Sequence, residues 1–377
     1  MRLRTRMHRH VTLLAFIFAT FLVASASASA SSVVGHVYVN DNTTGANTIA
    51  GFDRHTDGSL TPLPGSPFAA GGAGTGAPLG SQGALQLAAG GRYLLAVDAG
   101  SNQISVLRVK HRGGLELIDV VSSNGVKPVS IAVHGHLVYV ANGGSGGSNY
   151  TGFRLGRHGH LHAIADSTVP LSDAASPGDL LFNSTGTNLV GTEVGPSLID
   201  SFTVSYRGLL RPAPGSPFAA QGAGPFGSVF SPANPADLYI SNAHGGPNNG
   251  TVSAFNVSDN GTLRSIGSSP FADQQTAPCW VEITNDGRYV FAVNTASKSI
   301  SRYAVNGDGS LRLLGSTPFK TASKPFDARI SPDGSTLFVE DGSGLISAFA
   351  VHAGDLTEVA SSPTSVPASG VVGIVVN

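Results

Sequence analysis

The chain has 377 residues, with 22 Lys+Arg against 23 Asp+Glu, 12% charged residues, 49 Gly, 22 Pro and one Cys. So few charges exclude a solvated disordered tail or a charge-laced coiled coil, and a net charge of −1 gives no concentrated basic face for nucleic acid. Glycine at 49 of 377 residues, with no period of three, points to many tight turns instead.

Residues 1–30 read as an export signal. Arg2, Arg4, Arg6 and Arg9 make a basic start and Val11 to Val23 an apolar run, after which Ala28-Ser29-Ala30 offers a small-residue cleavage pattern, with Ala24 and Ala26 as alternatives. The thirteen residues of that run rise only ~20 Å as a helix, short of a ~30 Å hydrocarbon core, which argues against an anchor. No later segment is long and apolar enough to span a bilayer. The expectation is one mature domain over 31–377, secreted to the periplasm, cell surface or medium. Removal of the signal leaves 18 Lys+Arg against 23 Asp+Glu, a charge of −5. Cys279 has no partner for an intramolecular disulfide.

Seven short β-branched and aromatic runs follow along the chain, each ending on Asn, Asp or Glu. They end at Asn40, Asp98, Asn142, Glu193, Asn242, Asn294 and Glu340, with spacings of 58, 44, 51, 49, 52 and 46 residues. The string PGSPFAA recurs unchanged at Pro64–Ala70 and Pro214–Ala220, three units apart. Within a unit the order is constant, as residues 288–334 show. RYVFAVN predicts a strand, TASK a turn, SISRYAV a strand with alternating faces, NGDGS a turn and LRLLG a strand, followed by a Pro-Phe loop and a strand from FDARI to the SPDG turn. The Asp57-Gly58, Asn260-Gly261, Asp308-Gly309 and Asp333-Gly334 pairs suit tight turns, in which Gly accepts positive φ.

Four short antiparallel strands per unit, seven times over and without helical periodicity, predict an all-β, seven-bladed β-propeller. The mature chain starts on a second-strand pattern, HVYVN, and ends on a first-strand pattern, GVVGIVVN. The C-terminal strand should therefore join the N-terminal blade and close the ring, which a linear immunoglobulin-type array would not require.

Turns alternate between the two faces of such a disc. One face, the mouth, should collect Asn40, Asp41, Asp98, Asn142, Glu193, Asn242, His244, Asn294, Glu340 and Asp341, and a polar ring around a central opening is the default ligand site. Asn and Asp often end strands by bonding local backbone, whereas Glu is not a turn residue, which gives Glu193 and Glu340 more functional weight. Phe226, Trp280 and Phe326 suit either the mouth or blade packing. His158, His160 and His162 alternate as zinc ligands could, but the repeat places them on an outer hairpin of the opposite face, so no metal or other cofactor is expected.

The unit with SPDG after its inner strand, YVFAVN, SISRYAV and DGSLRLL resembles the seven-bladed propeller lactonases, the family of 6-phosphogluconolactonase and the carboxymuconate-lactonizing enzymes. The resemblance spans the mature chain. It implies a catalytic Glu, matched by Glu193, and a His, an Arg-His pair and a further Arg after successive opening prolines. Those positions hold Val129, Gly178 with Asp179, and Cys279. The missing cations argue against a phosphorylated substrate.

The first expectation is therefore a secreted lactonase-like hydrolase acting on a sugar-type or other small, weakly charged lactone at the mouth. Glu193 would activate water with Asp179, while Asn142, Asn242, His244, Asn294, Glu340 and Asp341 would bind ligand. The second is a non-catalytic extracellular propeller that recognises carbohydrate or protein. A third holds calcium on Glu340, Asp341 and Glu193.

Overall fold

The computed structural model describes residues 31–377, and the expected export signal lies outside them. Among the described residues there is no helix, and the strands form seven antiparallel sheets. The inner strands are Val372–Val376, Leu85–Ala88, Pro128–His134, Pro177–Phe182, Pro225–Phe230, Pro278–Ile283 and Pro325–Ile330, one for each of blades 1 to 7. Each neighbours the next, and the last packs against the first, so the ring is closed.

Blade 1 is completed from both ends of the described chain. Val33–Asn40 pairs on one side with Thr48–His55 and on the other with Val372–Val376, as the sequence pattern predicts. The second strands Tyr93–Asp98, Asn188–Glu193, Asp237–Asn242 and Thr336–Asp341 are buried at every position, because a neighbouring blade covers each face. Full burial of each Val, Leu, Ile or Phe there contributes ~1.5–3 kcal/mol, and the outer strands are more exposed. A short fifth strand pairs with the third strand in five blades, formed by the Pro-Phe stretch expected as loop in three of them, Phe68–Ala69, Phe218–Ala219 and Phe271–Ala272. Proline cannot donate to the ladder, which confines this addition to two residues.

Two details position the site. First, the pairing register slips just after the opening proline in blades 3 to 7, at Pro128/Ser130, Pro177/Asp179, Pro225/Ser228, Pro278/Trp280 and Pro325/Ala328. Such bulges re-aim the side chains that follow the proline. Second, tyrosines of second strands latch neighbouring blades together. The hydroxyls of Tyr38, Tyr139 and Tyr239 donate to the carbonyls of Gly113, Gly208 and Gly309 in the next blade's outer hairpin, at 2.7, 2.8 and 3.0 Å.

Candidate functional site

The polar residues that end the second strands are mostly structural. Asp98 accepts from Ser105 Oγ at 2.5 Å and Asn47 Nδ2 at 2.8 Å. Asn142 donates to Ser123 O and Asn149 Oδ1, and Asn242 to the hydroxyls of Thr251 and Ser253. The Asn294 amide lies between Asp273 Oδ2, at 2.8 Å, and the hydroxyls of Ser299 and Ser301. All are buried, and the loop leading into the same blade crosses over several of them. A Cβ on Gly72, Gly125 or Gly222 would lie 2.5, 2.4 or 2.8 Å from Asp98, Asn142 or Asn242. The amides of Asn142, Asn242 and Asn294 thus hold strands and loops together.

Asp341 is likewise engaged locally. Burial pushes its carboxyl up, but hydrogen bonds from Ser343, Lys324 and Ser323 outweigh that and hold it below the usual range. Glu340 is buried and accepts from Gly373 N at 3.0 Å, with its Oε2 unpartnered and its pKa pushed well up by burial and by nearby Asp327. The calcium set does not assemble, since among the described residues no three His, Cys, Asp or Glu side chains converge to hold a metal. His244 is exposed at the rim, and His158, His160 and His162 are exposed on the outer hairpin of blade 3. Cys279 is a half-buried thiol whose pKa burial pushes up to about 11, which disfavours a nucleophilic thiolate.

Blade 4 departs from this pattern. Third-strand residues that pair two positions before the strand-end group are Ser105, Thr151, Ser253, Ser301 and, with Asp341 as strand end, Ser347 in blades 2, 3, 5, 6 and 7, and Gly51 in blade 1, but Asp200 here. The repeat's amide or carboxylate with a hydroxyl has become two neighbouring carboxyls, Glu193 and Asp200. Tyr150 Oη, from blade 3, donates to Asp200 Oδ2 at 2.9 Å. It passes over Gly191, where a Cβ would come within 2.3 Å of the hydroxyl. Burial first, and then the Asp200 charge, push Glu193 up to about 7. The pair opens into a cavity of about 350 Å³ between blades 3 and 4, walled by Val169, Pro170, Leu171, Pro196, Leu198 and Phe202. Asp200 was not among the sequence candidates, although its misfit with the serines of the other repeats marks it.

The axis of the ring is a separate compartment. Ser81 and Gln82, in the loop leading into blade 2, lie across it. Gln82 donates from N to Gly178 O and from Nε2 to Ser228 O, and its Oε1 accepts from Val281 N, at 2.7, 2.9 and 3.0 Å. Ser81 Oγ donates to Val129 O, and Trp280 Nε1 donates to Ser81 O. This plug stands between two cavities. On the mouth side, about 240 Å³ is lined by Leu79, Val129, Val194 and Phe226, with Lys127 the one titratable group. Trp280 packs between Phe226 and Phe326, at ring-centroid distances of 5.2 and 4.9 Å.

On the other side, about 260 Å³ is lined by Gln82, Gln86, Asp179, Ser228, Glu282 and Arg329. Asp179 accepts from Ser130 Oγ, Leu180 N, Ser228 N and Ser228 Oγ, and burial nevertheless pushes it up to about 7. It lines a different cavity from Glu193, which corrects the expectation that the two share one site at the mouth. The plug residues carried no recognisable signal in the sequence, because their roles depend on which strands surround them.

The family model described as "Lactonase, 7-bladed beta-propeller" matches residues 35–170 and 220–371. The chain belongs to this family. The match supports lactone hydrolysis as a class of reaction, and it is interrupted over 171–219, which holds blade 4 with Asp179, Glu193 and Asp200. Among solved structures, a candidate 6-phosphogluconolactonase from Bacteroides uniformis is 21% identical with a TM-score of 0.76, over 92% of this chain and 99% of that one. The periplasmic gluconolactonase PpgL of Pseudomonas aeruginosa is 18% identical with a TM-score of 0.73, over 91% and 98%. At these identities the likeness is one of fold. A search of curated protein sequences gave no match.

Proposed function

We propose that the chain is a secreted lactonase that opens an uncharged ring ester at the Glu193–Asp200 pair, between blades 3 and 4. The observation that carries this reading is the replacement, in blade 4 alone among the repeats, of the strand-end pair by two neighbouring carboxyls facing a cavity. A carboxyl with a pKa near 7 is well matched to general-base work at neutral pH. In its ionised form Glu193 takes a proton from water as the water oxygen bonds to the ester carbonyl carbon. It returns that proton to the ring oxygen as the carbon–oxygen bond breaks, leaving a hydroxy acid. Asp200 acts as a positioning residue, held by Tyr150, whose charge keeps Glu193 basic. The apolar walls and the absence of Lys or Arg from the cavity lining favour a hydrocarbon-substituted lactone over a phosphorylated sugar lactone. Export rests on the basic start and apolar run of residues 1–30.

A second reading, a non-catalytic binding propeller, is favoured by the axial mouth, where Val129, Gly178 and Cys279 stand in place of the cations the family resemblance implies. One panel separates the two. γ-Nonalactone, δ-gluconolactone and its phosphate are offered to wild type and Glu193→Gln, with thermal shift as the binding readout. Turnover of γ-nonalactone that is abolished in Glu193→Gln supports the hydrolase. Equal turnover by both proteins removes Glu193, and binding without turnover by wild type leaves the binding propeller.

A further inference from the structure

A cavity larger than those described above is lined by residues far from these groups in sequence, and the proposed hydrolysis does not use it. It is a groove of about 800 Å³ between blades 1 and 2, lined by Val33, His36, Asp53, Leu63, Pro64 and the hairpin Lys110–Gly114. Its back wall is fixed. Tyr38 Oη donates to Gly113 O at 2.7 Å, and the His36 ring lies where a Cβ on Gly113 would come within 2.6 Å. His36 Nδ1 sits 3.2 Å from Asp53 Oδ1.

The hairpin itself departs from its repeats. The same turn position holds Asp57, Asn260 and Asp308 in blades 1, 5 and 6, and each accepts a hydrogen bond from the backbone N–H two residues on, at 3.0, 3.1 and 3.0 Å. Blade 2 places Arg112 there, which cannot accept that bond and adopts a left-handed φ of 67°. The same position holds His158 in blade 3 and Arg207 in blade 4, but of these three only Arg112 takes a left-handed φ, a local strain of the kind found where function is placed. In a chain with 12% charged residues, Arg108, Lys110 and Arg112 crowd one hairpin, with His111 among them. Glu116 lies 3.5 Å from both Arg108 and Lys110, whereas Arg112 makes no ion pair among the described residues.

We propose that this groove is a binding site for an amphipathic anion, a carboxylate on a hydrocarbon body. Arg112 and Lys110 would meet the carboxylate, while Val33, Leu63 and Pro64 cover the hydrocarbon. Size and lining agree with this class, since small-molecule sites run ~300–1,000 Å³ with mostly apolar walls and few polar groups.

The test uses octanoate and octanol as probes, followed by saturation-transfer NMR on wild type, Arg112→Gly and the double variant Lys110→Glu/Arg112→Glu. Both positions are exposed, and glycine suits the left-handed turn, so Arg112→Gly should melt no lower than wild type. Octanoate is expected to bind wild type saturably and roughly ten-fold more weakly to the double variant, and to weaken as salt rises from about 20 to about 300 mM. Arg112→Gly should bind several-fold more weakly while keeping its melting temperature. The proposal is overturned if octanoate does not bind wild type, if Arg112→Gly binds it as tightly, or if octanol competes equally well.

Discussion

Replacing Gln82 should loosen the inner ring from its centre. Its side chain is buried and bridges Ser228 O in blade 5 and Val281 N in blade 6. Gln82→Ala leaves that carbonyl and N–H without their partner, at ~1–3 kcal/mol each, and removes a buried methylene worth ~0.8 kcal/mol, so a loss of about 4 kcal/mol is expected. Gln82→Met keeps the volume and isolates the hydrogen-bond part, at about 2–4 kcal/mol. Gln82→Glu adds a sign. Its protonated form still donates to Ser228 O and accepts from Val281 N, whereas its ionised form opposes the carbonyl in a chamber that already holds Asp179 and Glu282. Its folded pKa is therefore raised, and its stability should be near wild type at acid pH and fall as pH rises through that value. Urea unfolding followed by far-UV circular dichroism measures all three variants, and the single Trp, bonded to Ser81 O, gives a second signal from the plug itself. If Gln82→Ala and Gln82→Met unfold within ~0.5 kcal/mol of wild type, the range of ordinary surface changes, the amide does not hold the ring.

Three further outcomes follow for blade 4. The rate of lactone opening should rise with pH around the Glu193 value of about 7, and in Asp200→Asn the inflection should move down toward the ordinary glutamate range. The same raised pKa means that Glu193's contribution to stability is present at acid pH and is lost as pH climbs from the ordinary glutamate value through about 7. Asp200→Asn should shrink that loss, as pH-dependent melts can check. Gly191→Ala places a Cβ 2.3 Å from the Tyr150 hydroxyl, so it should cost ~1–3 kcal/mol in thermal unfolding and lower the same inflection by parting Tyr150 from Asp200. An unchanged melt and an unchanged profile would show that the tyrosine contact is incidental.

The ring was legible in the sequence because its signals are local and repeated: Asp-Gly and Asn-Gly turns, alternating third strands, and a first-strand pattern at the end of the chain. Side-chain direction was less so. Asn142 and Glu193 occupy equivalent positions and look alike as polar strand ends, yet one lies beneath a loop glycine and the other meets a second carboxyl. Only a comparison along the third strands, with Asp200 set against Ser105, Ser253 and Ser301, separates them. Asp179 follows an opening proline as a mouth residue should, but the bulge at Pro177/Asp179 turns its position toward Ser130 and Ser228 beyond the plug. Gln82 sits in a Gly/Ser-rich stretch with no periodicity, and its partners come from blades 4, 5 and 6, which no local pattern encodes.

The shared first blade also sets a timetable for synthesis. Val33–Asn40 is among the first strands to leave the ribosome, but Val37 to Asn40 find their inner partners only in residues 372–376. Until residues 372–376 have been made, six blades can form while the growing arc keeps two unpaired edges, each able to recruit the edge of another nascent chain. Cooperativity arrives with that strand. A nascent chain stalled at residue 365 would already hold six inner strands and nearly all of the core, and would still lack the contact that makes it a closed body.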